Sequence, residues 1–282
     1  MERVVLSHVQ VVPLLKLYRE GATETEISPD LSLSKVGVQL TAKGVLFPGG
    51  EALSWADAEK ISEAENSCYV LSQDGSLNKV EAYSDETNRY CSLLPTRAAP
   101  TLLISGILMH RIKDTDPYQD TLSKIKAIEP ITGNVLDTCT GLGYTAIEAA
   151  KRAERVTTIE FDPAVQEIEW LNPWSQALFD NPRITRMRGD SSEIVPSFEN
   201  ESFHRVVHDP PTFSLAGQLY SEEFYRQLYR VLKRGGILFH YIGDPKSNYG
   251  IRTFKGVIRR LQSAGFKRVI VREAAFGVVA YR

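Results

Sequence analysis

The feature that most constrains the fold is a regular alternation of strand-like and helix-like segments after residue 115. Short apolar runs typical of strands occupy residues 134–139, 155–161, 183–189, 204–208 and 237–242. Segments with a helical period occupy residues 118–128, 145–153, 163–170, 222–233 and 252–264. Two more strand-like runs, 267–273 and 276–281, end the chain. Such alternation predicts an α/β fold with a mostly parallel sheet and helices on both faces.

The first 115 residues show a different pattern, in which short strand-like runs and turn residues dominate. Strand-like runs occupy residues 35–41, 44–47, 68–72 and 77–83. A helical pattern covers residues 54–65 and begins with Ser54-x-x-Asp57, which resembles a capping box. The turn residues 73–76 predict a hairpin. We therefore predict a smaller α+β or mostly β domain at residues 1–115 and the α/β domain at residues 116–282.

The composition argues against several classes of protein but does not indicate a particular function. No run of about 18 apolar residues exists, so we expect no membrane span, and no signal peptide is recognisable. The three cysteines, Cys68, Cys91 and Cys139, form no CxxC pair, which predicts no metal site and a reducing, cytoplasmic location. The net charge of −2 gives no general attraction to nucleic acid. The oligomeric state is not indicated.

Residues 135–145 carry the strongest local signal. An apolar strand ends at Asp137 and runs into a turn with Gly141 and Gly143, after which a helix begins. Glycine allows close approach of a ligand to the backbone, and the helix N-terminus offers unpaired N–H groups. Gly141, Gly143 and Ala146 also fit the dinucleotide pattern GxGxxG/A. Asp137 favours a different ligand, because a carboxylate accepts from an ammonium group and repels a pyrophosphate.

Acidic residues also follow the next two strands. Glu160 ends the second strand, where a carboxylate can hold both hydroxyls of a ribose. Asp190 follows the third strand and is placed to accept from an adenine amino group, with Ser191 beside it. Phe161 is expected to pack on the adenine face. The alternative, that the glycine turn serves packing alone, stays open.

With these residues, the chain resembles the class I, archaeal-type S-adenosylmethionine-dependent methyltransferases over residues 116–282. The resemblance implies a Rossmann-like, seven-stranded sheet whose last hairpin is reversed, and S-adenosylmethionine as the cofactor. The cofactor-binding residues that it implies are Asp137, Thr138, Thr140, Gly141, Leu142, Gly143, Thr145, Glu160, Phe161, Asp190 and Ser191.

The fourth strand ends in Asp209-Pro210-Pro211, with Phe213 two residues later. The rigid turn can present carbonyls, and Asp209 a carboxylate, to an amino group on which positive charge develops. These residues resemble the Asp/Asn-Pro-Pro-aromatic motif of amino-group methyltransferases, although Thr212 stands where the aromatic residue is usual. The sequence Asp-Pro-Pro-Thr-Phe-Ser also resembles some ribosomal RNA base methyltransferases, which implies that Phe213 stacks on a flipped base. A simple strand-ending turn is the alternative.

Two histidines lie near the same corner. His208 precedes Asp209, and His240 ends the fifth strand. Either could supply a base near neutral pH and contact the substrate. The more common explanation for each is a core histidine whose hydrogen bonds are satisfied.

A second resemblance is to the polyamine aminopropyltransferases. It rests on residues 103–110, on the helix that begins near Tyr118, and on residues 219–225. It implies that Tyr118 lines the mouth of the active site. The family's fourth-strand corner carries two aspartates that grip a polyamine, whereas here only Asp209 remains, beside two prolines. A methyltransferase is therefore our first expectation and an aminopropyltransferase the alternative.

The C-terminal segment is basic. Arg252, Lys255 and Arg259 fall on one helix face, with Arg260, Lys267, Arg268 and Arg272 nearby. Such a face can contact phosphates. Together with the resemblance to RNA base methyltransferases, it leads us to expect a nitrogen of an RNA base as the acceptor. A solvated helix face is the simpler explanation, and small amines and protein side chains stay open as acceptors.

Overall fold

Two units make up the computed structural model, which describes residues 3–282 apart from the side chains of residues 248 and 249. The first unit comprises the described part of Met1–Tyr118 together with Pro163–Gln176. The second comprises Gln119–Asp162 and Ala177–Arg282. The domain limits predicted at residues 115 and 116 stay a prediction, because a division by contacts does not show that either part folds alone.

The strands are numbered in chain order. Those of the first unit are β1 (Val4–Leu6), β2 (Glu24–Ile27), β3 (Val36–Thr41), β4 (Gly44–Leu46), β5 (Ala52–Ser54), β6 (Tyr69–Leu71), β7 (Leu77–Lys79), β8 (Glu81–Ser84), β9 (Arg89–Leu94), β10 (Thr101–Ile104) and β11 (Ile107–Leu108). Those of the second unit are β12 (Asn134–Asp137), β13 (Arg155–Glu160), β14 (Ile184–Arg188), β15 (Phe203–His208), β16 (Leu232–Tyr241), β17 (Arg268–Arg272) and β18 (Gly277–Tyr281).

The helices follow the same order. They are α1 (His8–Arg19), α2 (Trp55–Glu63), α3 (Pro117–Lys126), α4 (Tyr144–Ala150), α5 (Pro163–Leu171), α6 (Ala177–Asp180), α7 (Ser191–Ile194), α8 (Phe213–Ala216), α9 (Glu222–Val231) and α10 (Asn248–Ser263). Short 3-10 helices cover Pro173–Ser175, Val195–Ser197, Gly217–Tyr220 and Glu273–Ala275. None of the helices described is long and apolar enough to span a bilayer.

The first unit contains three small antiparallel sheets. Their strand orders are β1-β6-β7, β2-β3-β4-β5 and β11-β10-β9-β8. The predicted hairpin at residues 73–76 joins β6 to β7. Ser54 caps α2, since its side chain accepts a hydrogen bond from the backbone N–H of Asp57 at 3.0 Å.

The second unit is built on a seven-stranded sheet with the order β14-β13-β12-β15-β16-β18-β17. The strands from β14 to β16 are parallel, and β18 runs antiparallel to both β16 and β17. This arrangement confirms the predicted mostly parallel sheet with its reversed last hairpin. Because the parallel strands end at one edge, the residues after β12, β13, β14 and β15 meet there.

Strand alternation divides the apolar core of this unit between the two faces of the sheet. Leu136 of β12 and Val206 of β15 pack with Leu228 of α9 on one face. Their neighbours Val135 and Val207 pack with α4 and the end of α3 on the other. Both faces are thus covered, which explains why the central strands read as continuous apolar runs.

Helix α9 shows how the sequence fixes one covering element. Ser221 caps it by accepting from the backbone N–H of Phe224 at 3.0 Å, and two glutamates occupy the first turn, where they favour the helix dipole. Its buried residues repeat at helical spacing and are Phe224, Tyr225, Leu228 and Val231.

Candidate functional site

The turn between β12 and α4 is shaped by two glycines with different tasks. Gly141 has φ 56° and Gly143 has φ 76°, both in the left-handed region that favours glycine. A Cβ at Gly143 would lie 2.2 Å from Cδ1 of the buried Leu178, so packing requires this glycine. A Cβ at Gly141 would meet nothing within 4 Å, so this position borders open space that a ligand can use.

Asp137 lies fully buried beneath this turn. Its Oδ2 accepts hydrogen bonds from the hydroxyls of Thr145 at 3.0 Å and Thr158 at 3.1 Å. Its Oδ1 accepts no hydrogen bond from the residues that the structure describes, although the nearby backbone of Cys139 favours the charged form. Burial raises the pKa of Asp137 to about 8, and the charge of Asp209 adds to the rise. A buried acceptor without a partner is costly, and a ligand ammonium would complete it.

Glu160, at the end of β13, contacts the same turn. Its Oε2 accepts from the backbone N–H of Gly141 at 2.9 Å, and its Oε1 from that of Asp162 at 3.0 Å. Burial raises the pKa of Glu160 to about 7, while the two backbone N–H groups lower it in part. The structure therefore brings together the predicted ammonium acceptor, the predicted ribose acceptor and the glycine turn.

Asp190 follows β14 and caps α7. Its Oδ1 accepts from the backbone N–H of Ser192 at 2.7 Å, and its Oδ2 from Nε2 of Gln218 at 3.3 Å. The sequence did not single out Gln218. The neighbouring Ser191 is buried and donates its hydroxyl proton to the carbonyl of Thr138. Adenine recognition by Asp190 and Ser191 stays a prediction.

The three predicted cofactor threonines hold the turn from within. The hydroxyl of Thr138 bonds to Nδ1 of His208 at 2.7 Å, that of Thr140 to the hydroxyl of Thr158 at 2.7 Å, and that of Thr145 to Asp137. Leu142 is fully buried as well. By contrast, the Phe161 side chain is 41% exposed and free to pack on a ligand face. Direct contact of the threonines and Leu142 with a cofactor stays a prediction.

Asp209, after β15, is paired with a cation that the sequence analysis missed. Nζ of Lys124 lies 2.6 Å from Oδ2 of Asp209 and 2.8 Å from Oδ2 of Asp120. It also lies 4.6 Å from the centroid of the Tyr241 ring. Asp120 and Lys124 stand four residues apart on α3, and this spacing was the available signal. The contact between Asp209 and Lys124 joins residues 85 positions apart, so no local sequence pattern indicated it.

The charges of this cluster are strongly shifted. Burial lowers the pKa of Lys124, but the charges of Asp209 and Asp120 outweigh it, so the net shift is upward. Lys124 therefore stays protonated and cannot serve as a base near neutral pH. Burial also raises the pKa of Asp209, against the opposing effect of Lys124.

The predicted proline turn is partly engaged within the protein. The carbonyl of Pro211 accepts a hydrogen bond from the hydroxyl of Tyr220 at 2.9 Å, while Pro210 is buried. Phe213 begins α8 with 51% of its side chain exposed, and its ring centroid lies 5.6 Å from that of Tyr220. Tyr220, also missed from sequence, thus supports both the turn and the exposed ring.

His208 and His240 both lie in the interior. Nε2 of His208 donates to the carbonyl of Leu219 at 2.9 Å, which leaves Nδ1 to accept from the Thr138 hydroxyl. Burial lowers the pKa of His208 to about 3. Nε2 of His240 bonds to the hydroxyl of Tyr225 at 2.8 Å, and burial lowers its pKa too. A substrate role for either stays a prediction that this placement does not favour.

Two further predictions concern Tyr118 and the basic face of α10. Tyr118 belongs to the first unit, where its ring centroid lies 5.6 Å from that of Trp174, and its place at a site mouth stays a prediction. On α10 the predicted basic face is exposed and consists of Arg252, Lys255 and Arg259.

No protein-family model matches the chain. An uncharacterized protein of Methanocaldococcus jannaschii is 46% identical over 250 residues, covering 88% of this chain and 84% of the relative. A polyamine aminopropyltransferase of Thermotoga maritima is 32% identical over 165 residues, covering 56% of this chain and 54% of the relative. One from Clostridium perfringens is 27% identical over 164 residues, covering 56% and 58%. The chain thus matches about half the length of these enzymes.

Solved structures that share the fold include two spermidine synthases. A spermidine synthase in complex with the transition-state analogue AdoDATO has a TM-score of 0.59 at 23% identity, covering 73% of this chain and 75% of that chain. The spermidine synthase of Thermotoga maritima has a TM-score of 0.56 at 21% identity, covering 73% of each. At these identities the likeness shows the fold alone. The predicted class I Rossmann-like fold, with its similarity to aminopropyltransferases, is confirmed.

Proposed function

The chain belongs to the same family as the uncharacterized protein MJ1233 of Methanocaldococcus jannaschii, and from the geometry of its site we propose that it is an S-adenosylmethionine-dependent methyltransferase. The observation that carries the proposal is the unpartnered Oδ1 of buried Asp137, beneath a turn that leaves open space at Gly141. Glu160 contacts that same turn. A ligand with both an ammonium group and a ribose matches this pair of acids. Both S-adenosylmethionine and its decarboxylated form have these groups, so the choice of methyl transfer rests on the pairing of Lys124 with Asp209.

The residues present fit this cofactor. Asp137 would accept from its ammonium group, Glu160 would hold the ribose hydroxyls, and Asp190 would accept from the adenine amino group. Phe161 would cover the adenine face. Bound S-adenosylmethionine would supply a methyl group on a sulfonium sulfur, for transfer to an acceptor nitrogen.

The acceptor nitrogen is expected at the corner formed by Asp209, Pro210 and Pro211. Lys124 holds Oδ2 of Asp209, and Oδ1 is the remaining acceptor of this carboxylate. A fixed acceptor here favours the positive charge that develops on nitrogen and can take the proton that the nitrogen releases. Phe213, exposed beside the corner, offers a flat ring on which a base can stack.

The exposed face of α10 supports RNA as the acceptor. Arg252, Lys255 and Arg259 all extend into solvent on one side of the helix. Side chains in such a row can contact successive phosphates, which carry no sequence information but position the substrate.

We also propose the cytoplasm as the compartment, because Cys68, Cys91 and Cys139 are all free thiols.

An aminopropyltransferase is the second candidate, because residues of this chain align with polyamine aminopropyltransferases over 56% of its length. Such an enzyme would use the decarboxylated cofactor and a polyamine. Against this candidate stands Lys124, whose ammonium already occupies the carboxylate of Asp209. We therefore rank methyl transfer first.

Calorimetry with the two cofactor forms tests the choice. We expect S-adenosylmethionine to bind at least about tenfold more tightly than its decarboxylated form, a difference of about 1.4 kcal/mol. Asp137→Asn should abolish most of the binding, whereas Asp85→Asn, in an exposed turn, should leave it unchanged. The reverse preference, together with product formed from putrescine, would establish the second candidate.

Transfer of a tritiated methyl group tests the acceptor. Total RNA and a pool of small metabolites are incubated separately with the protein and labelled cofactor. We expect label in RNA, and its loss in Asp209→Ala. Label in metabolites alone would contradict RNA as the acceptor, and label in neither would contradict methyl transfer to RNA or to a small amine.

A further inference from the structure

Lys124 is an ammonium ion held inside the second unit by three groups. The side chain is 1% exposed, with Asp120 and Asp209 at 2.8 Å and 2.6 Å from Nζ and the Tyr241 ring at 4.6 Å. Two carboxylates and an aromatic face are the surroundings that recognise a cation when water is excluded. The chain therefore contains a complete ammonium site together with its occupant.

The ammonium group that occupies this site is covalently attached to α3 through the Lys124 side chain. Asp209 also acts beyond this cluster, because its charge raises the pKa of Asp137. Removing the ammonium would take away the positive charge that Asp120 and Asp209 share, which is unfavourable in this poorly solvated cluster. Any free ammonium that entered would have to displace a side chain already positioned by α3.

We propose that Lys124 determines specificity: its ammonium fills the site formed by Asp120, Asp209 and the Tyr241 ring, so that the acceptor side rejects aliphatic ammonium ions and takes an uncharged nitrogen. This inference deepens the proposed function and rests on it for the reaction. The amide-like and aromatic nitrogens of nucleobases belong to the uncharged class, whereas putrescine and spermidine do not. Lys124 is thus a residue that excludes substrates, without itself touching the reacting atoms.

Replacement of the side chain by a free ion tests the proposal directly. Lys124→Ala keeps Cβ and removes three methylenes and the ammonium, which is the structure of propylammonium. We expect propylammonium to raise the midpoint of thermal unfolding of this variant by about 3 °C or more at saturating concentration. Neutral 1-propanol should not do so, because it supplies no charge to the two carboxylates.

The control variant is Lys126→Ala, which removes an exposed lysine from the same helix. Propylammonium should leave the unfolding midpoint of this variant and of the unaltered protein unchanged. An equal shift in all three proteins would overturn the proposal, since it would show a general effect of the salt. Absence of any shift in Lys124→Ala would overturn it as well.

A second arm covers the case in which Lys124→Ala does not fold alone. The denatured variant is refolded with propylammonium or with 1-propanol, and the folded fraction is measured by circular dichroism. Recovery with the ammonium ion alone supports the proposal, and equal recovery, or none, contradicts it. In the double variant Lys124→Ala/Asp209→Asn, which retains one carboxylate, the shift should fall by at least half.

Putrescine connects the site to substrate choice. Calorimetry should detect putrescine binding to Lys124→Ala and not to the unaltered protein. Binding to the unaltered protein would contradict the exclusion. These measurements need no cofactor, so they remain decisive even if the cofactor experiments disprove methyl transfer.

Discussion

Oε2 of Glu160 accepts a hydrogen bond from the backbone N–H of Gly141 at 2.9 Å, which ties the end of β13 to the turn after β12. The two residues lie 19 positions apart in sequence, yet their contact joins the two parts of the proposed cofactor site. The bond also fixes the backbone of a glycine beside which the structure leaves open space. The strand tips and the turn therefore form one preorganised surface, and this relationship leads to the first prediction.

Alanine at the two glycines should separate ligand binding from packing. At Gly141 the left-handed backbone costs an added Cβ about 1 kcal/mol, and the methyl group would project into the ligand space. We expect Gly141→Ala to weaken S-adenosylmethionine binding about tenfold or more, as measured by calorimetry. Gly143→Ala should mainly lower the free energy of unfolding, by about 2 kcal/mol, because its Cβ meets Leu178. Equal effects of both variants on unfolding and binding would refute this division.

Asp137 should make the ligand-free protein less stable as the pH rises. Its folded pKa of about 8 lies above the usual aspartate value of 3.8, so its contribution is full below the usual value and is lost as the pH rises through the folded value. Glu160, with a pKa of about 7, acts in the same direction. The pH range above 6.5 separates the effect of these two acids from that of His208, whose lowered pKa destabilises the fold only below 6.5.

Urea unfolding at pH 6.5 and pH 8 measures the Asp137 effect. The unaltered protein should lose about 1 kcal/mol or more of its free energy of unfolding between these values. Asp137→Asn, which has no proton to release, should lose distinctly less. An identical slope in the two proteins would show that Asp137 titrates normally.

Tyr220 should support the acceptor side without affecting the cofactor. Tyr220→Phe removes the hydroxyl that donates to the Pro211 carbonyl and keeps the ring beside Phe213. We expect about 1 kcal/mol lower stability and a slower single-turnover transfer, with unchanged cofactor affinity. Weaker cofactor binding in calorimetry would contradict this prediction, because it would show that Tyr220 supports the cofactor site.

The basic face of α10 should contribute to RNA binding through phosphates. Alanine at Arg252, Lys255 and Arg259 should weaken binding to RNA and make its salt dependence shallower by about two units of the logarithmic slope, as measured by fluorescence anisotropy. The charge-matched control replaces the exposed residues Lys16, Lys43 and Lys60. If both triple variants change the slope equally, α10 has no special part in RNA binding.

The fold of the second unit was predictable because its signal is local and repeated. Each strand of the sheet is an apolar run, and the alternation with helices specifies parallel pairing. Helix α1 escaped prediction because Val9, Val11, Val12 and Pro13 suggest other structures. Its capping box was the missed signal: the backbone N–H of Ser7 donates to Oε1 of Gln10 at 3.1 Å, and the Ser7 hydroxyl accepts from the Val9 N–H.

The candidate site was predictable to a lesser degree. Asp137, Glu160 and Gly141 follow strand ends, and position relative to a strand can be read from sequence. The partners of these residues cannot, since Lys124 and Asp209 are separated by 85 positions. Likewise, nothing in the sequence distinguishes a threonine that faces a ligand from one that, like Thr145, bonds to a buried carboxylate.

The covalent stem of Lys124 has a consequence for life in a cell rich in diffusible cations. A tethered group competes for its binding site at an effective concentration in the millimolar range or above. Free amines at similar levels therefore gain little by mass action, because α3 returns the tethered ammonium at once. The proposed exclusion of amines therefore comes from the chain itself and needs no diffusible inhibitor.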